Sequence, residues 1–248
     1  MRILLSGICG RMGQQVVRLA REAGGDAQVI FGVDVQSTGD FEGIPCATSF
    51  DGAPADVDCV IDFSHHANTE ALLAFACKNN LPIVIATTGQ TEAERAAIGR
   101  AAGEIPVFFT ANFSLGIALL IDFAKKAAQA LPDAEIEIVE THHDQKLDAP
   151  SGTALAIAEG IRQVRPEAEN QIGRCGQKKR EKNEIGIHAL RIGGIVGEHE
   201  VLFGTQNQTL TLKHTAHSRA VFAEGALSAA HFIVKQGKGL YTMTDLAK

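Results

Sequence analysis

A glycine-rich turn between two apolar runs is the feature that most constrains how this chain can fold. The run Arg2 to Ser6 leads into Gly7-Ile-Cys-Gly-Arg-Met-Gly13, and a helical pattern of apolar residues follows and ends at Gly24-Gly25. A second run, Gln28 to Val33, ends at Asp34, which lies 21 residues beyond Gly13. This order predicts a βαβ unit with glycines at its first turn and an acid at the tip of its second strand.

The predicted βαβ unit has the parts that dinucleotide binding requires. Glycines let the backbone approach a pyrophosphate, the helix N-terminus stabilises its charge, and an acid accepts hydrogen bonds from the adenosine ribose. The spacing is GxxGxxG instead of GxGxxG, so a turn that serves geometry alone is the alternative. Asp34 suits the free 2′-hydroxyl of NADH and repels the additional phosphate of NADPH, which Arg11 could still reach. We therefore expect NADH to be favoured, with NADPH as the alternative.

Three further strand–helix repeats predict an open parallel sheet. Their apolar runs are 57–63, 81–86 and 105–109. Ligands of such sheets bind beyond the carboxyl ends of the strands. Thr87 with Thr88, and Asn112 with Ser114, lie at two of these ends, where a nicotinamide or a substrate is expected. The same residue types suit a strand-to-helix turn, so a purely structural role is the alternative.

The pattern changes after a long predicted helix, 115–131. Four strand-like runs follow: 134–140, 184–192, 196–203 and 209–214. Gly193-Gly194 predicts a hairpin turn between the second and the third run. The expected fold class is α/β, with an N-terminal Rossmann-like parallel-sheet domain, 1–113, and a C-terminal α+β domain, 114–218. The last helix, about 219–248, could pack back on the first domain.

Composition narrows the classes of protein to consider. The net charge of −6 disfavours a nucleic-acid partner, and no apolar run reaches the ~18 residues that cross a bilayer. The five cysteines are odd in number and never spaced CxxC, so neither a disulfide framework nor a zinc site is indicated. The N-terminus lacks a signal-peptide pattern, and we expect a soluble, cytoplasmic protein. The basic segment 174–182 is interpreted as a solvated loop, with phosphate or subunit contact as the alternative.

A histidine-rich stretch contains the candidate chemistry of the second domain. Ile136 and Ile138 alternate with glutamates at the period of a strand, and Pro150-Ser-Gly-Thr153 precedes an alanine-rich helical pattern. Between these elements lie three groups that donate protons or hold anions: His142, His143 and Lys146. The start of a helix suits a carboxylate or a phosphate, and histidine is suited to proton transfer near neutral pH. A polar loop that happens to be rich in histidine is the alternative.

This stretch resembles the signature of the dihydrodipicolinate reductase family. It reads Glu140-Thr-His-His-Asp-Gln-Lys-Leu-Asp-Ala-Pro-Ser-Gly-Thr-Ala154, and it departs from the signature only in Thr141, where Ala is common. Ala86 likewise replaces the usual Gly of a second motif. The further segments that are similar to family motifs are Gly7-x-x-Gly-Arg-Met-Gly13, Ala86-Thr-Thr-Gly89, Ala111-Asn-Phe-Ser114, Arg191-x-Gly-x-Ile-Val-Gly-Glu-His199 and Ser218-Arg-x-x-Phe-Ala-x-Gly-Ala226.

The resemblance implies hydride transfer from NADH or NADPH to 4-hydroxy-tetrahydrodipicolinate, a small dicarboxylate of lysine and diaminopimelate biosynthesis. It implies that the second domain binds this substrate and forms a homotetramer through its sheet. The implied catalytic residues are His142 and Lys146, and the implied substrate-binding residues are His143, Ser151, Gly152 and Thr153. The implied cofactor site comprises Gly7, Ile8, Cys9, Gly10, Arg11, Met12 and Asp34 at the adenine half, and Ala86, Thr87, Thr88, Thr110, Ala111, Asn112 and Phe113 at the nicotinamide half.

The roles within the catalytic pair stay open, since either His142 or Lys146 could supply the proton. We assign Lys146 to charge stabilisation, because a lysine near two carboxylates holds its charge, and His142 to proton delivery. A nucleotide-sensing regulator and a dehydrogenase acting on an amino acid are rival functions. A hydrolase with a metal on His142, His143 and Asp144 is a third, although adjacent residues of an extended chain point to opposite faces.

Overall fold

A computed structural model describes residues 1–37 and 39–247, and the chain divides into two compact units. The first unit comprises residues 1–114 together with the chain from 220 onward, and the second comprises 115–219. Each unit contains one sheet and its own apolar core. The predicted fold class, a mostly parallel Rossmann-like sheet followed by a second α+β sheet, is confirmed.

Alternating strands and helices build most of the first unit. In chain order they are β1 (Arg2–Ser6), α1 (Arg11–Glu22), β2 (Gln28–Val33), β3 (Asp40–Phe41), β4 (Ile44–Ala47), β5 (Cys59–Asp62), a 3₁₀ turn (His66–Asn68), α2 (Thr69–Lys78), β6 (Ile83–Ile85), α3 (Glu92–Ala101) and β7 (Pro106–Phe109). The interiors of β1, β5 and β6 are apolar and buried, as expected for a parallel sheet that helices cover on both faces.

The second unit is a five-stranded mixed sheet with two helices. Its elements are α4 (Leu115–Ala130), β8 (Glu135–His142), α5 (Gly152–Arg162), β9 (Glu169–Ile172), β10 (Glu184–Arg191), β11 (Gly197–Gly204) and β12 (Thr209–Ala216). The strand order is β12-β11-β8-β10-β9. Alternate residues of β8 are buried, and Ile136 and Ile138 pack in one apolar cluster with residues of α4 and α5.

The predicted hairpin at Gly193-Gly194 is wrong. The strands on either side of it, β10 and β11, do not pair with each other, since both pair with β8, one parallel and one antiparallel. The connection instead crosses the end of β8, where Asp144 N–H donates to the Gly193 carbonyl at 3.1 Å and Ile192 N–H donates to the His142 carbonyl at 2.9 Å. The buried alternation of β8 gives both neighbours an apolar row to pair with, and a local turn signal does not reveal this.

The chain from α6 (Ala220–Ile233) onward completes the first unit, and it also contains β13 (Gly239–Tyr241) and α7 (Met243–Leu246). Helix α6 packs against α1, and β13 pairs with β7. The sheet of the first unit then has the order β13-β7-β6-β5-β1-β2-β4-β3 and is parallel except for the pair β3–β4. Within the described residues, no helix is both long and apolar enough to span a membrane.

The strand order opens a crevice at the end of β1. From β1 the chain passes to β2 on one side, and it returns later to β5 on the other side. Connections that leave neighbouring strands in opposite directions leave a crevice at the carboxyl ends, where α/β proteins bind ligands. The last residues of the three strands lie in register: Ser6, Val33 and Asp62.

Candidate active site

The glycine turn after β1 is closed too tightly for any other residue. Gly7 has a φ of 82°, and its N–H donates to the Val33 carbonyl at 2.7 Å. A Cβ on Gly7 would lie 2.6 Å from the carbonyl carbon of Phe63, and a Cβ on Gly13 would lie 2.2 Å from the Gly7 oxygen. No side chain among the described residues caps the start of α1 at Gly10. The backbone is thus exposed to a close approach by an anion at a helix N-terminus.

Asp34 borders the same crevice. Its two carboxylate oxygens accept hydrogen bonds from Cys9 N–H at 3.0 Å and from Gln36 N–H at 2.9 Å. Each oxygen keeps a second lone pair, so the carboxylate can still accept from a ribose hydroxyl. A cavity of about 480 Å³ is lined by Gly7, Gly10 and Asp34, and residues 63–65 also line it. These features fit the adenosine and pyrophosphate groups of a dinucleotide.

Several other predicted cofactor residues have side chains that already serve the interior of the first unit. Ile8 is fully buried, and Phe113 is buried against the rings of Phe63 and Phe108. Only the backbone of these two residues can face a ligand. Asn112 Oδ1 accepts from Ser114 N–H at 2.8 Å, which is the turn role that was the alternative interpretation. The remaining predicted side chains are exposed or half-buried: Cys9, Arg11, Met12, Ala86, Thr88, Thr110 and Ala111.

Asp62 organises the strand ends beside the crevice, and sequence reasoning missed it. This buried carboxylate accepts from Thr87 Oγ1 and from Ser64 Oγ, each at 2.6 Å. The Asp62 carbonyl also accepts from Ala86 N–H at 2.9 Å. The hydroxyl of Thr87 is therefore fixed by Asp62. An acid at the last position of a fully apolar strand was the available signal.

Glu140 is the centre of the polar cluster in the second unit. It lies in the buried phase of β8 and is 0% exposed. Arg191 donates to both of its oxygens, at 2.8 and 2.9 Å, and Ser151 N–H donates to Oε1 at 2.9 Å. His142 Nδ1 lies 2.5 Å from Oε2. Burial acts to raise the pKa of Glu140, but the hydrogen bonds from Arg191, His142 and Ser151 together lower it, so the group is ionised at neutral pH.

His142 is a buried imidazole whose hydrogen-bond pattern follows from Glu140. An ionised carboxylate only accepts, so Nδ1 of His142 carries the proton and Nε2 has a lone pair when the ring is neutral. Burial lowers the pKa of His142, and the positive charges of Lys146 and Arg191 add to this, while Glu140 opposes it. The ring of His199 stands edge-on to that of His142, with centroids 5.2 Å apart.

His199 supports the start of α5. Its Nε2 lies 3.2 Å from Ser151 Oγ, and the same oxygen accepts from Ala154 N–H at 3.2 Å as the N-cap of α5. His199 is buried, and this burial, followed by the neighbouring His142, lowers its pKa to about 4. Ser151 thus uses its N–H on Glu140 and its hydroxyl on the start of α5, so both of its polar groups have partners within the protein.

Lys146 and its surroundings form the charged side of this cluster. Lys146 Nζ donates to Asp148 Oδ1 at 2.7 Å. This ammonium group lowers the pKa of Asp148, and the backbone N–H groups of Asp148 and Gly152 contribute to the same shift. His143 is half-buried, and Arg219 Nη2 lies 3.5 Å from its Nε2. Among the described residues, no group of three His, Cys, Asp or Glu side chains could hold a metal ion.

Arg191 and His199 are candidate functional residues to which the sequence analysis gives no role. They lie 51 and 48 residues from Glu140 and Ser151, their partners in this cluster. Both belong to the segment Arg191 to His199, which resembles a family motif but carries no role that the resemblance assigns. The available signal was a cation at the last residue of β10 and a polar residue in the buried phase of β11.

The interpretation of 174–182 as a purely solvated loop is wrong for two of its residues. Arg174 pairs with Glu184 at 2.6 Å, and Arg180 pairs with Glu137 at 2.6 Å. The side chain of Arg180 is only 14% exposed. Glu137 of β8 and Glu184 of β10 pair with these two arginines, so the segment is anchored to the sheet.

A dinucleotide-binding unit followed by an α+β unit with a buried acid–histidine centre is the organisation of a two-domain NAD(P)H-dependent oxidoreductase. Comparison with known proteins agrees with this class. The family model described as dihydrodipicolinate reductase, N-terminus, matches residues 1–113, and the model of the C-terminus matches residues 116–247. The chain therefore belongs to the dihydrodipicolinate reductase family.

Individual relatives match over the whole length. The chain is 47% identical to 4-hydroxy-tetrahydrodipicolinate reductase from Caldanaerobacter subterraneus subsp. tengcongensis, covering 100% of this chain and 98% of that protein. It is 43% identical to the reductase of the same name from Akkermansia muciniphila, covering 98% and 96%. The solved structure of a dipicolinate-bound dihydrodipicolinate reductase from Paenisporosarcina sp. TG-14 has a TM-score of 0.80 and 27% identity over 98% of this chain and 97% of that one.

Proposed function

We propose that this protein reduces 4-hydroxy-tetrahydrodipicolinate to tetrahydrodipicolinate, with NADH as the favoured hydride donor and NADPH as the alternative. The proposal rests mainly on the buried Glu140–His142 pair beside the start of α5, in a chain whose relatives carry the name of this reductase. The bound dipicolinate of the solved neighbour supports a cyclic dicarboxylate as the substrate. This reaction serves lysine and diaminopimelate biosynthesis. The homotetramer implied by the resemblance, formed through the sheet of the second unit, is part of the same proposal.

The residues around α5 divide the work of binding. Lys146 and the first N–H groups of α5, at Gly152 and Thr153, are suited to one substrate carboxylate, because an ammonium ion and a helix N-terminus both stabilise an anion. His143, with Arg219 beside it, is suited to a further contact with the substrate. A small molecule with two carboxylates needs more than one positive group for binding, and Lys146 and Arg219 supply two.

The proton is assigned to His142. The reaction adds one hydride and one proton to the substrate and releases one water, and the nicotinamide supplies the hydride. Negative charge that develops on the ring nitrogen of the substrate is neutralised by a proton from Nε2 of the imidazolium form of His142. The lowered pKa of His142 makes its cation a strong acid, and a bound dianion raises the fraction of that cation. Lys146 then stabilises charge without giving up its proton.

The preference for NADH rests on Asp34. Its carboxylate repels a 2′-phosphate, and Val35 and Gln36, which follow it, bring no cation to the crevice. Arg11 is exposed at the start of α1, so the acceptance of NADPH depends on how far this side chain can compensate.

A direct assay tests the function. Freshly generated 4-hydroxy-tetrahydrodipicolinate is mixed with the protein, and the loss of absorbance of NADH and of NADPH is followed in parallel. We expect turnover with both cofactors and a higher kcat/KM with NADH. Retained NADH binding without substrate-dependent oxidation would instead support the nucleotide-sensing function, and turnover with an amino acid would support the other dehydrogenase.

The same assay tests the two roles. His142→Gln is expected to lower kcat by about 10²-fold or more, as for loss of a general acid, and Lys146→Met is expected to act mainly on KM. A larger loss of kcat for Lys146→Met, with unchanged substrate affinity, would reverse the assignment.

A further inference from the structure

We propose that Glu140 is a positioning residue for the reaction: this single carboxylate orients His142 for proton transfer and ties the substrate cradle to it. The inference rests on the proposed function, since it assigns a role to a residue behind the proposed proton donor. Glu140 itself has no exposed surface through which it could contact a bound molecule directly. It acts through His142, Ser151 and Arg191.

Glu140 is a buried carboxylate with hydrogen bonds to both of its oxygens. Four hydrogen bonds reach its two oxygens, from the side chains of Arg191 and His142 and from the backbone of Ser151. Leaving a charge of this kind unpaired in the interior is costly, so every one of these donors is held in place. A residue needed only for packing at this position of β8 would be apolar, as Ile136 and Ile138 are in the same buried row.

The first consequence concerns the tautomer of His142. Because Glu140 accepts from Nδ1, the neutral ring has its lone pair at Nε2, and the cationic ring carries at Nε2 the proton that it can give up. A neutral side chain at position 140 that donated an N–H to Nδ1 would favour the opposite tautomer of His142. Nε2 would then carry the proton of a neutral imidazole, which is a very weak acid.

The second consequence concerns the loop that carries Lys146. Ser151 N–H binds Glu140, so the first residue of the anion cradle is fixed to the same group as the imidazole. Arg191 binds Glu140 with both terminal nitrogens and also donates from Nη2 to the Asp148 carbonyl at 2.6 Å. Proton donor and anion site therefore share one buried anchor, which keeps their separation constant.

The test is a double-mutant cycle with Glu140→Gln and His142→Gln. Alone, Glu140→Gln is expected to lower kcat by about 10²-fold or more. In the His142→Gln background, the same change is expected to alter kcat by no more than about twofold, because its effect passes through the imidazole. If the double variant lost kcat by the product of the two single-variant factors, the proposal would be overturned.

The pH profile supplies a readout that a merely structural role would not move. A proton donor must be charged, so kcat falls as pH rises through the pKa of His142. Glu140 acts to raise that pKa, and its removal is expected to shift the falling limb of the profile to lower pH. A reduced kcat with an unmoved limb would contradict the proposal.

A matched control lies on the same strand. Glu137 also binds an arginine and a histidine, Arg180 at 2.6 Å and His188 at 2.8 Å, but on the opposite face of β8. Glu137→Gln is expected to leave the pH profile of kcat in place. A shift as large as that of Glu140→Gln would show that any lost carboxylate on this strand has the effect, and would overturn the assignment.

Nuclear magnetic resonance of the ring nitrogens of His142 keeps the two proposals separable and does not require Glu140→Gln to fold. In the unsubstituted protein, the neutral ring is expected to be protonated at Nδ1. Protonation at Nε2 would overturn the positioning role even if turnover is normal. Absence of turnover, with the Nδ1 tautomer observed, would overturn the proposed function and leave the orientation by Glu140 intact.

Discussion

Asp148 places a carboxylate of the protein at the position where the proposed anion cradle would receive one from the substrate. Its Oδ1 accepts from Lys146 Nζ at 2.7 Å, and the N–H of Gly152 at the start of α5 contributes to its lowered pKa. Its side chain is 57% exposed, so it can rotate away into water. A substrate carboxylate must compete with Asp148 for the same ammonium group.

Replacing Asp148 by Asn is therefore expected to lower the KM for the dicarboxylate a few-fold with little change in kcat. A solvent-accessible ion pair contributes about 0.2–1 kcal/mol. Without Asp148 the substrate no longer has to break such a pair with Lys146 in order to bind. Steady-state kinetics at fixed NADH measures the change. Asp144→Asn, at an exposed acid of the same loop, is the control. A raised KM for Asp148→Asn would mean that Asp148 holds Lys146 in position for the substrate.

At the scale of elements, the close approach of α6 to the end of β7 is set by small residues. Helix α6 buries a row of alanines together with Gly225. A Cβ on Gly225 would lie 1.7 Å from the Phe113 carbonyl oxygen, so the helix passes directly over the strand-to-helix turn 110–114. A backbone carbonyl cannot yield to such a contact as the end of a flexible side chain can.

Gly225→Ala is expected to destabilise the protein by about 1–3 kcal/mol, as overpacking of a close-packed interior does. Gly99→Ala is the matched control, because Gly99 lies exposed in α3 and its Cβ would meet nothing within 4 Å. That control is expected to be neutral or stabilising by up to about 1 kcal/mol through helix propensity. Urea denaturation of the two variants measures the difference, and equal effects would contradict the close approach.

At the scale of the whole molecule, three half-buried or buried histidines make stability depend on pH. Burial is the largest cause of the lowered pKa of each of them: His142, His199 and His214. A histidine with a lowered pKa in the folded state is neutral there while the unfolded chain binds a proton. The unfolded state then binds more protons, so stability falls as pH decreases through the window between the two values.

For His199 this window extends from the ordinary histidine value of 6.5 down to about 4. The free energy of unfolding is expected to fall across it by on the order of 3 kcal/mol at most from this residue alone. Denaturant unfolding of His199→Gln between pH 4 and 8 should show a flatter dependence than the unsubstituted protein. His65→Gln, at an exposed histidine of the first unit that contributes to none of these three shifts, is the control and is expected to keep the original slope. An unchanged slope for His199→Gln would contradict the assignment.

Local sequence determined much of this protein because the signals act over a few residues. The βαβ unit follows from a glycine turn between an apolar strand and an amphipathic helix, and Gly7 and Gly13 are glycines because neighbouring backbone leaves no room for a Cβ. Ser151 as the N-cap of α5, and the buried alternation of β8, are read from adjacent residues in the same way. The family signature from Glu140 to Ala154 is likewise one continuous segment.

Only the tertiary structure decided which residues surround His142. The glycine pair at 193–194 locally signals a hairpin, but β8 takes both neighbouring strands, and this pairing brings Arg191 and His199 to Glu140 and Ser151. Strand order depends on which apolar strands pair although some 50 residues separate them in the chain. The local periodicity of each strand does not specify its partner. The candidate donor and anion site could thus be predicted from sequence. The buried carboxylate that joins them became visible only through pairing of distant strands.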